Sequence, residues 1–428
     1  MRYKTLLLLM MLAGGTVSAQ TTVRMTLDSC LRYAHEHNLQ VRSALLNQQS
    51  SEADLTGAKM RFLPSVSASA SHGWSWDGQS TSNTQYGING SLNLFNGLSN
   101  LRTLQQSRLS NEQSQLKTKQ TENSIDIQIM QAYLTILMNQ EKLSYQQEVF
   151  ETSRQQQLEG EVKYQVGKIL ESDYMLLSAN HTTTQAELEN TRLTIEENRL
   201  ALMTLMGMDD TLRLEVVPSD DTLRATDRIM PLHDSVMAQA QRSMPDWQIS
   251  EMDVDLARLK VRLAEGSFMP TLSLNAGYGG QWMPTGAPAQ SSSTTFSDNT
   301  SLSLGLSIPI FDRGSSVTQY KQSKITLQQA ELQHYQTLLD LRDQLNELYI
   351  NTQQALNRYK ASEVLSEAYR ASYEVYVLKY TEGAVTTVEM LQQQDKYLSA
   401  SNEYLQNKYS FLLAEKQLDI YTGKEIKL

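Results

Sequence analysis

A single cysteine, Cys30, stands in a chain of 428 residues, so no disulfide forms within it. Proline is scarce, with 8 residues, none between Ser65 and Val217 and none after Pro309. Glycine is absent from Leu98 to Glu159. These gaps leave long stretches in which nothing breaks a helix. No stretch is apolar enough for a membrane helix, which needs about 20 residues, and mean hydropathy is −0.43. Basic charge is in deficit, with 37 Lys and Arg against 47 Asp and Glu. That balance argues against a nucleic-acid partner. No phosphate loop, nucleophile elbow, zinc spacing or dinucleotide fingerprint occurs, so neither a catalytic site nor a cofactor is assigned and the chain does not read as an enzyme. His35 and His37 lie two apart on a predicted helix and point in different directions, which favours solvated surface over a metal site.

Residues 1–19 read as a secretory leader. Arg2 and Lys4 form its basic start, Leu6 to Leu12 its apolar core, and Val17-Ser18-Ala19 a small-residue cleavage site before Gln20. The residue directly after that site is Gln20, not cysteine, so no lipid anchor is expected. The 37 basic residues, less Arg2 and Lys4, against 47 acidic ones give a mature net charge of −12.

Two stretches break the helical pattern. Phe62 to Gly97 and Phe268 to Gly314 each open on Phe-x-Pro and close on an apolar run, Leu94-Phe95-Asn96 and Ile310-Phe311-Asp312. Each holds two runs of period 2 around a polar loop, the pattern of a β-hairpin. One face takes Val66, Ala68, Ala70, Trp74 and Trp76, then Tyr86, Ile88, Leu92 and Leu94. In the second hairpin it takes Leu272, Leu274, Ala276, Tyr278 and Trp282, then Leu302, Leu304, Leu306, Ile308 and Ile310. The other face is Ser, Gly, Asn and Thr. Alternation alone suits a soluble sheet with one buried face. A small, nearly uncharged polar face and aromatics near the strand ends instead suit a membrane strand, which needs about 9–11 residues. Four strands are too few for a membrane barrel, whose smallest form has about 8. An open edge in lipid costs several kcal/mol for each unpaired backbone group. A spanning sheet therefore requires several copies of the chain.

The second half repeats the first. Ala34 and Pro64 recur 206 residues on as Ala240 and Pro270. Beyond the hairpins the offset is 216: Phe95 matches Phe311, Lys163-Tyr164-x-x-Gly167 matches Lys379-Tyr380-x-x-Gly383, and Gly207 matches Gly423. A ten-residue insertion in the Gly/Pro/Ser-rich loop from Met283 to Asn299 accounts for the change. The layout is a leader at 1–19, a repeat at 20–207 with its hairpin at 61–97, an acidic belt linker at 208–232, and a repeat at 233–428 with its hairpin at 268–314. Leu212 to Val217 reads as a short strand in the linker. Helices are expected from about Leu27 to Met60 and His233 to Glu265. The 62 residues from Leu98 to Glu159 would span roughly 90 Å as one helix. Heptad ladders through Leu109, Leu116, Met130 and Leu137, through Ile129, Ile136, Leu143 and Phe150, and more weakly through Leu341, Leu348, Ala355, Ser362, Tyr369 and Tyr376 indicate coiled-coil packing. The fold class is mainly α with membrane β.

The leader, the two-fold repeat, the Phe-x-Pro openings, the Leu-Phe-Asn and Ile-Phe-Asp exits and the Tyr-x-x-Gly turns together resemble the TolC-like outer-membrane efflux protein family, over the whole mature chain. The resemblance implies a homotrimer in the outer membrane of a Gram-negative bacterium, with a 12-stranded β-barrel built from four strands per chain and a long coiled-coil α-helical barrel crossing the periplasm. It implies as partners a periplasmic adaptor (a membrane fusion protein) and an inner-membrane RND or ABC transporter, with the chain a passive duct that catalyses nothing. The family's Val-Gly-Leu tip turn falls on Val166-Gly167-Lys168 and Glu382-Gly383-Ala384, neither copy complete. Its latch positions fall on Ser172, Asp173 and Tyr380, with Val385 in place of the latch arginine. Its constricting acidic positions fall on Glu389 and Gln392, leaving one acidic ring. On this reading Tyr380 bonds to Asp173, and three Glu389 carboxylates around one axis raise each other's pKa.

Two other readings remain open at this point. A periplasmic coiled-coil adaptor or scaffold would explain the leader and helices but not the four strands. Within the duct reading, small-molecule or drug efflux is favoured over type I protein secretion, and the pump rather than the duct selects the cargo.

Overall fold

A computed structural model describes residues 21–76, 80–209, 212–218, 233–285 and 293–424. The leader at 1–19, most of the linker and the tip of the second hairpin loop lie outside the described residues.

The elements follow one order twice. Strand β1 (Thr21–Met25) precedes helices α1 (Leu27–His37) and α2 (Leu39–Met60), strands β2 (Ser65–Trp76) and β3 (Ser80–Asn96), and helices α3 (Ser99–Gln165) and α4 (Glu171–Met206). Strand β4 (Leu212–Val216) leads to α5 (His233–Ser243), α6 (Pro245–Gly266), β5 (Thr271–Thr285), β6 (Ser293–Ser307), α7 (Ser315–Thr381) and α8 (Thr387–Tyr421). Helices α3 and α7 each run 67 residues, past the sequence estimate, because neither contains a proline and the one glycine at position 160 is tolerated. Among the described residues no helix is long and apolar enough to cross a membrane.

Two expected helices are broken. The run from Leu27 to Met60 turns at Asn38, whose backbone is extended at φ −60° and ψ 131°. The buried Asn38 side chain explains the break. Its carbonyl accepts from the N–H groups of Gln40 (2.8 Å) and Val41 (3.1 Å), capping α2, while its amide donates to Leu205 O near the end of α4 at 2.6 Å. The run from His233 is interrupted at Met244, because Pro245 disfavours helical backbone before it and suits the first position of α6.

The chain forms two compact units, each drawing on both halves of the sequence. The first holds the described residues up to Arg42, Thr121–Ser243 and those from Gln344 onward. Its core gathers Leu27, Cys30, Ile125, Ile129, Tyr133, Ile136, Leu202, Met206, Leu214 and Phe411, all nearly or fully buried. Strand β4 is where the sequence places it. Its parallel partner β1 was not legible, being one residue from α1 and only five residues long. The best-buried ladder of α7 is Leu345, Thr352, Tyr359, Tyr373 and Tyr380, four residues on from the predicted one. Tyrosines dominate it because the ring body fills the groove; the Tyr359 and Tyr373 hydroxyls reach Glu363 and Gln394, while that of Tyr380 does not.

The second unit holds Ser43–Gln120 and Met244–Asp343, including the sheet. Its helices meet through polar side chains. Gln113 donates to Asp253 at 2.7 Å, and Ser250 pairs with His334 at 2.9 Å, the imidazole lying against Trp247. The sheet is antiparallel, in the order β2-β3-β5-β6. The strands run 12 to 17 residues, longer than the predicted 9–11. Strand β6 ends at Ser307, so Ile308 and Ile310 do not extend it as the alternation suggested. Pro309 lacks the N–H that a ladder needs, and β5 offers no residue beyond Thr271 to pair with. Below the sheet, Gly97 abuts Gly266 so closely that a Cβ on Gly97 would lie 2.2 Å from the Gly266 carbonyl oxygen.

Candidate functional site

The register sorts the sheet into two faces. Ala68 stands opposite Ile88, Ile88 opposite Tyr278, Leu92 opposite Leu274 and Leu274 opposite Leu304. On the other side Ser67 faces Asn89, Asn89 faces Gly277 and Gly277 faces Ser301. The polar face is concave: Ser69, Ser71, Gln85, Asn89, Gly277 and Ser301 line a groove along it. The apolar face carries Val66, Ile88, Leu302, Leu304 and Leu306, all exposed in the single chain. Trp74, Trp76 and Trp282 are exposed near the strand ends, as interfacial aromatics are. A bulge at Leu94 breaks the predicted alternation and puts Phe95 in register with Leu272. The two outer strands, β2 and β6, have a neighbour on one side only.

The helix turns lie in the first unit. Between α3 and α4, Gly167 takes φ +71°, and between α7 and α8, Gly383 takes φ +74°. Both turns close as Schellman motifs. Gly167 and Lys168 donate to Tyr164 O and Lys163 O at 2.9 and 2.8 Å; Gly383 and Ala384 donate to Tyr380 O and Lys379 O at 3.1 and 2.8 Å. The left-handed backbone explains the glycine of each Tyr-x-x-Gly motif. Val166, Gly167, Lys168, Glu382, Gly383 and Ala384 are all exposed.

Behind the turns a small core forms from Val149, Leu177, Tyr373, Tyr380, Met390 and Tyr397, with Val385 packed against it. Val385 therefore fills an apolar place where the resemblance led to an arginine. Tyr373 stacks on Tyr397 at 5.6 Å, and the Lys163 ammonium lies 5.0 Å from the Tyr380 ring centroid. Sequence reasoning missed the polar link through this core. Buried Gln394 exchanges amide hydrogen bonds with Asn180, and no local pattern announces a pair 214 residues apart.

The expected latch bond needs correction. No hydrogen bond joins Asp173 to Tyr380 within the chain. Asp173 is half-buried in the first turn of α4, while the Tyr380 hydroxyl is buried beside Thr387 without a well-aligned bond. Burial pushes the Tyr380 phenol above its ordinary pKa, and Asp173 and Glu159 add to the rise. The raised pKa expected of three Glu389 carboxylates concerns the assembly; within one chain Glu389 is a helix cap. Its carboxylate accepts from the Thr386 N–H at 2.8 Å and hydroxyl at 3.0 Å, and the Thr386 hydroxyl accepts from Glu389 N–H, a complete capping box at the start of α8. Those bonds hold the carboxyl below its usual range. Ser172 and Gln392 are exposed.

Of His35 and His37, only His35, half-buried, departs from solvated surface; His37 is exposed. His35 pairs with Asp126 at 2.6 Å, and His37 stacks on Tyr33 at 4.1 Å while bonding to its carbonyl. Among the described residues no three His, Cys, Asp or Glu converge to hold a metal.

A sheet with one apolar face and one polar, concave face, joined to 67-residue helices, is the build of an outer-membrane channel protein. The outer membrane efflux protein profile matches residues 31–208 and 236–424, and the chain belongs to that family. It is an outer-membrane protein of a family of transport channels, not of enzymes. It is 20% identical over 421 residues to the outer membrane efflux protein BepC of Brucella suis biovar 1 (strain 1330), covering 97% of this chain and 89% of BepC. It is 23% identical over 299 residues to the outer membrane protein TolC of Escherichia coli (strain K12), covering 68% of this chain and 59% of TolC. The crystal structure of the Campylobacter jejuni CmeC outer membrane channel shares the fold, with a TM-score of 0.76 at 18% identity over 93% of this chain and 85% of that one.

Proposed function

We propose that three copies of this chain form a passive duct through which an inner-membrane pump and a periplasmic adaptor export their substrate. The two halves act as structural repeats, each giving one hairpin to a 12-stranded barrel and one long helix pair to a coiled-coil tunnel. The observation that carries the reading is the sheet: a concave Ser, Gly and Asn face, a convex Leu, Ile and Val face, and an unpaired strand at each edge. Such a sheet is stable in lipid only when its edges are closed. Twelve strands leave room for water, whereas about eight fill their own interior. The exposed turns at Gly167 and Gly383 are the places for adaptor contact, and the helix starts carrying Ser172, Asp173, Glu389 and Gln392 are the places for a gate.

Energy comes from the pump, because a pore cannot drive solute uphill. Native mass spectrometry of the detergent-extracted protein tests the assembly, and a stable monomer would refute it. Deletion in the host followed by dye accumulation and secreted-protein assays tests the cargo. Dye retention with normal secretion supports small-molecule efflux. Lost secretion with normal dye export assigns the duct to type I secretion.

A further inference from the structure

The chain contains one worked example of how its hairpins join. Strand β3 of the first hairpin pairs with β5 of the second over 12 residue pairs, from Thr84 opposite Trp282 to Asn96 opposite Thr271. The hairpins themselves are superposable in register: Ser65 faces Ser91 in the first, and Thr271 faces Ser307 in the second, positions that differ by the same 206 and 216 residues that relate the sequence halves. Strand β6 is thus the counterpart of β3, and β2 that of β5, yet neither outer edge is paired.

We infer that the joint between one copy and the next repeats the β3–β5 joint, with β6 running antiparallel to the next copy's β2 in one fixed register. Shifting β3 by 216 and β5 by 206 sets Leu302 opposite the next copy's Trp74, Ser303 opposite its Gly73, Gly305 opposite its Ser71 and Leu306 opposite its Ala70. Past the bulge, Phe311 meets its Val66. This inference rests on the trimeric duct proposed above and specifies its seam.

Three observations support this register. The shifted ladder runs from the next copy's Ser65 to its Trp76 and so uses the whole of β2; on its own side it runs from Thr300 to Asp312, so residues 308–312, beyond the end of β6 in the single chain, join the ladder only in the assembly. Leu302, Leu306 and Ile308 fall opposite Trp74, Ala70 and Ala68 and the small polar residues opposite small polar ones, with Leu304 opposite His72 and Thr300 opposite Trp76 as the two exceptions; a one-residue slip would invert every side chain. The third is exposure. Phe95 and Leu94 at the in-chain joint are 37% and 50% exposed, while their counterparts Phe311 and Ile310 are 85% and 94% exposed. Met269 is 39% exposed and its counterpart Leu63 is 65% exposed. The seam supplies the missing cover. Two departures locate where it differs from its template. Pro309 replaces Asn93, so the ladder carries at most one donor fewer. Arg313 and Met60 replace the close Gly97–Gly266 contact, so the backbones part below the ladder.

Cysteine pairs test the register in outer-membrane material. Directly opposite Cβ atoms lie about 4.5–5.5 Å apart and diagonal ones about 7–8 Å, so a disulfide separates the two. Cys30 does not compete, being fully buried with its thiol pushed up to about 12 by burial. Ser303→Cys with Gly73→Cys, and Gly305→Cys with Ser71→Cys, are expected to give linked multimers on oxidation. Ser303→Cys with Ser71→Cys, or with Ser75→Cys, is expected to link at least several-fold less. Equal or better linking of these last two pairs would overturn the register and leave the trimer standing. No link between copies in any of the four, with folded heat-modifiable protein present, would overturn the seam and the trimer together.

Discussion

The side-chain amides of Asn180 on α4 and Gln394 on α8 donate to each other, at 3.3 Å in one direction and 3.1 Å in the other. Gln394 is almost wholly buried, so this pair is the polar lock in an otherwise tyrosine-rich core. Gln394→Leu would leave the Asn180 amide without that partner, at a cost of about 1–3 kcal/mol. Thermal unfolding in detergent is expected to show the loss. Asn180→Leu added to it is expected to restore part of the stability, since two apolar partners leave nothing unpaired.

The Glu389 carboxyl is held low by its bonds from Thr386, and the sign of its pH effect follows. A depressed folded pKa contributes stability above the ordinary carboxylate range, and that contribution is lost as pH falls through the lowered value. Protection of the amides of residues 386–390, relative to intrinsic exchange at the same pH, is expected to fall below about pH 4, the ordinary Glu range. Glu389→Gln is expected to flatten the dependence. Thr386→Ala would cost about 1 kcal/mol by removing the cap.

Tyr380→Phe separates the observed packing from a latch. The hydroxyl is buried without a well-made bond, so its removal is expected to be neutral or stabilising by up to about 1 kcal/mol. A loss of more than about 1 kcal/mol in the melting of the variant would show that the hydroxyl has a partner in the assembled protein.

Lys408 is buried against Glu141, its ammonium 2.8 Å and 2.9 Å from the two carboxylate oxygens, and Tyr409 donates to the same carboxylate at 3.0 Å. Removing one member of a fully buried pair costs about 3–5 kcal/mol. Glu141 keeps 37% of its side-chain exposure, so about 2–3 kcal/mol is expected for Lys408→Met. The double variant with Glu141→Leu is expected to recover most of it in chemical denaturation.

The sequence carried the strands and the long helices because their signals are local. Period-2 alternation marks each hairpin, and the missing prolines mark α3 and α7. The break at Asn38 was not legible, since the residue needs the Leu205 carbonyl as a distant partner. The bulge at Leu94 was hidden because it arises from pairing with β5. Thr386-x-x-Glu389 had the spacing of a capping box in plain view, but a pore role inferred by resemblance displaced that local reading. The Asn180–Gln394 pair depends on two helices meeting and has no sequence signature.

Leu304 and Ser303 test which side of the sheet meets lipid. Leu304 stands opposite Leu274 and is 64% exposed on the convex face, while Ser303 stands opposite Asn275 on the concave face. An arginine on the lipid face near the bilayer midplane costs about 2–4 kcal/mol, because the charge must leave water or drag water and headgroups inward. Leu304→Arg is therefore expected to reduce folded protein in the outer membrane and to lower its stability by about that amount in a refolding titration. In the duct proposed above, Ser303→Arg places the same side chain in a water-filled lumen, where its charge stays hydrated. It is expected to fold normally while lowering single-channel conductance and shifting selectivity toward anions, since three guanidinium groups would ring the duct. Equal tolerance at both positions, or a folding loss at Ser303 with none at Leu304, would reverse the facing of the sheet and with it the barrel's inside and outside.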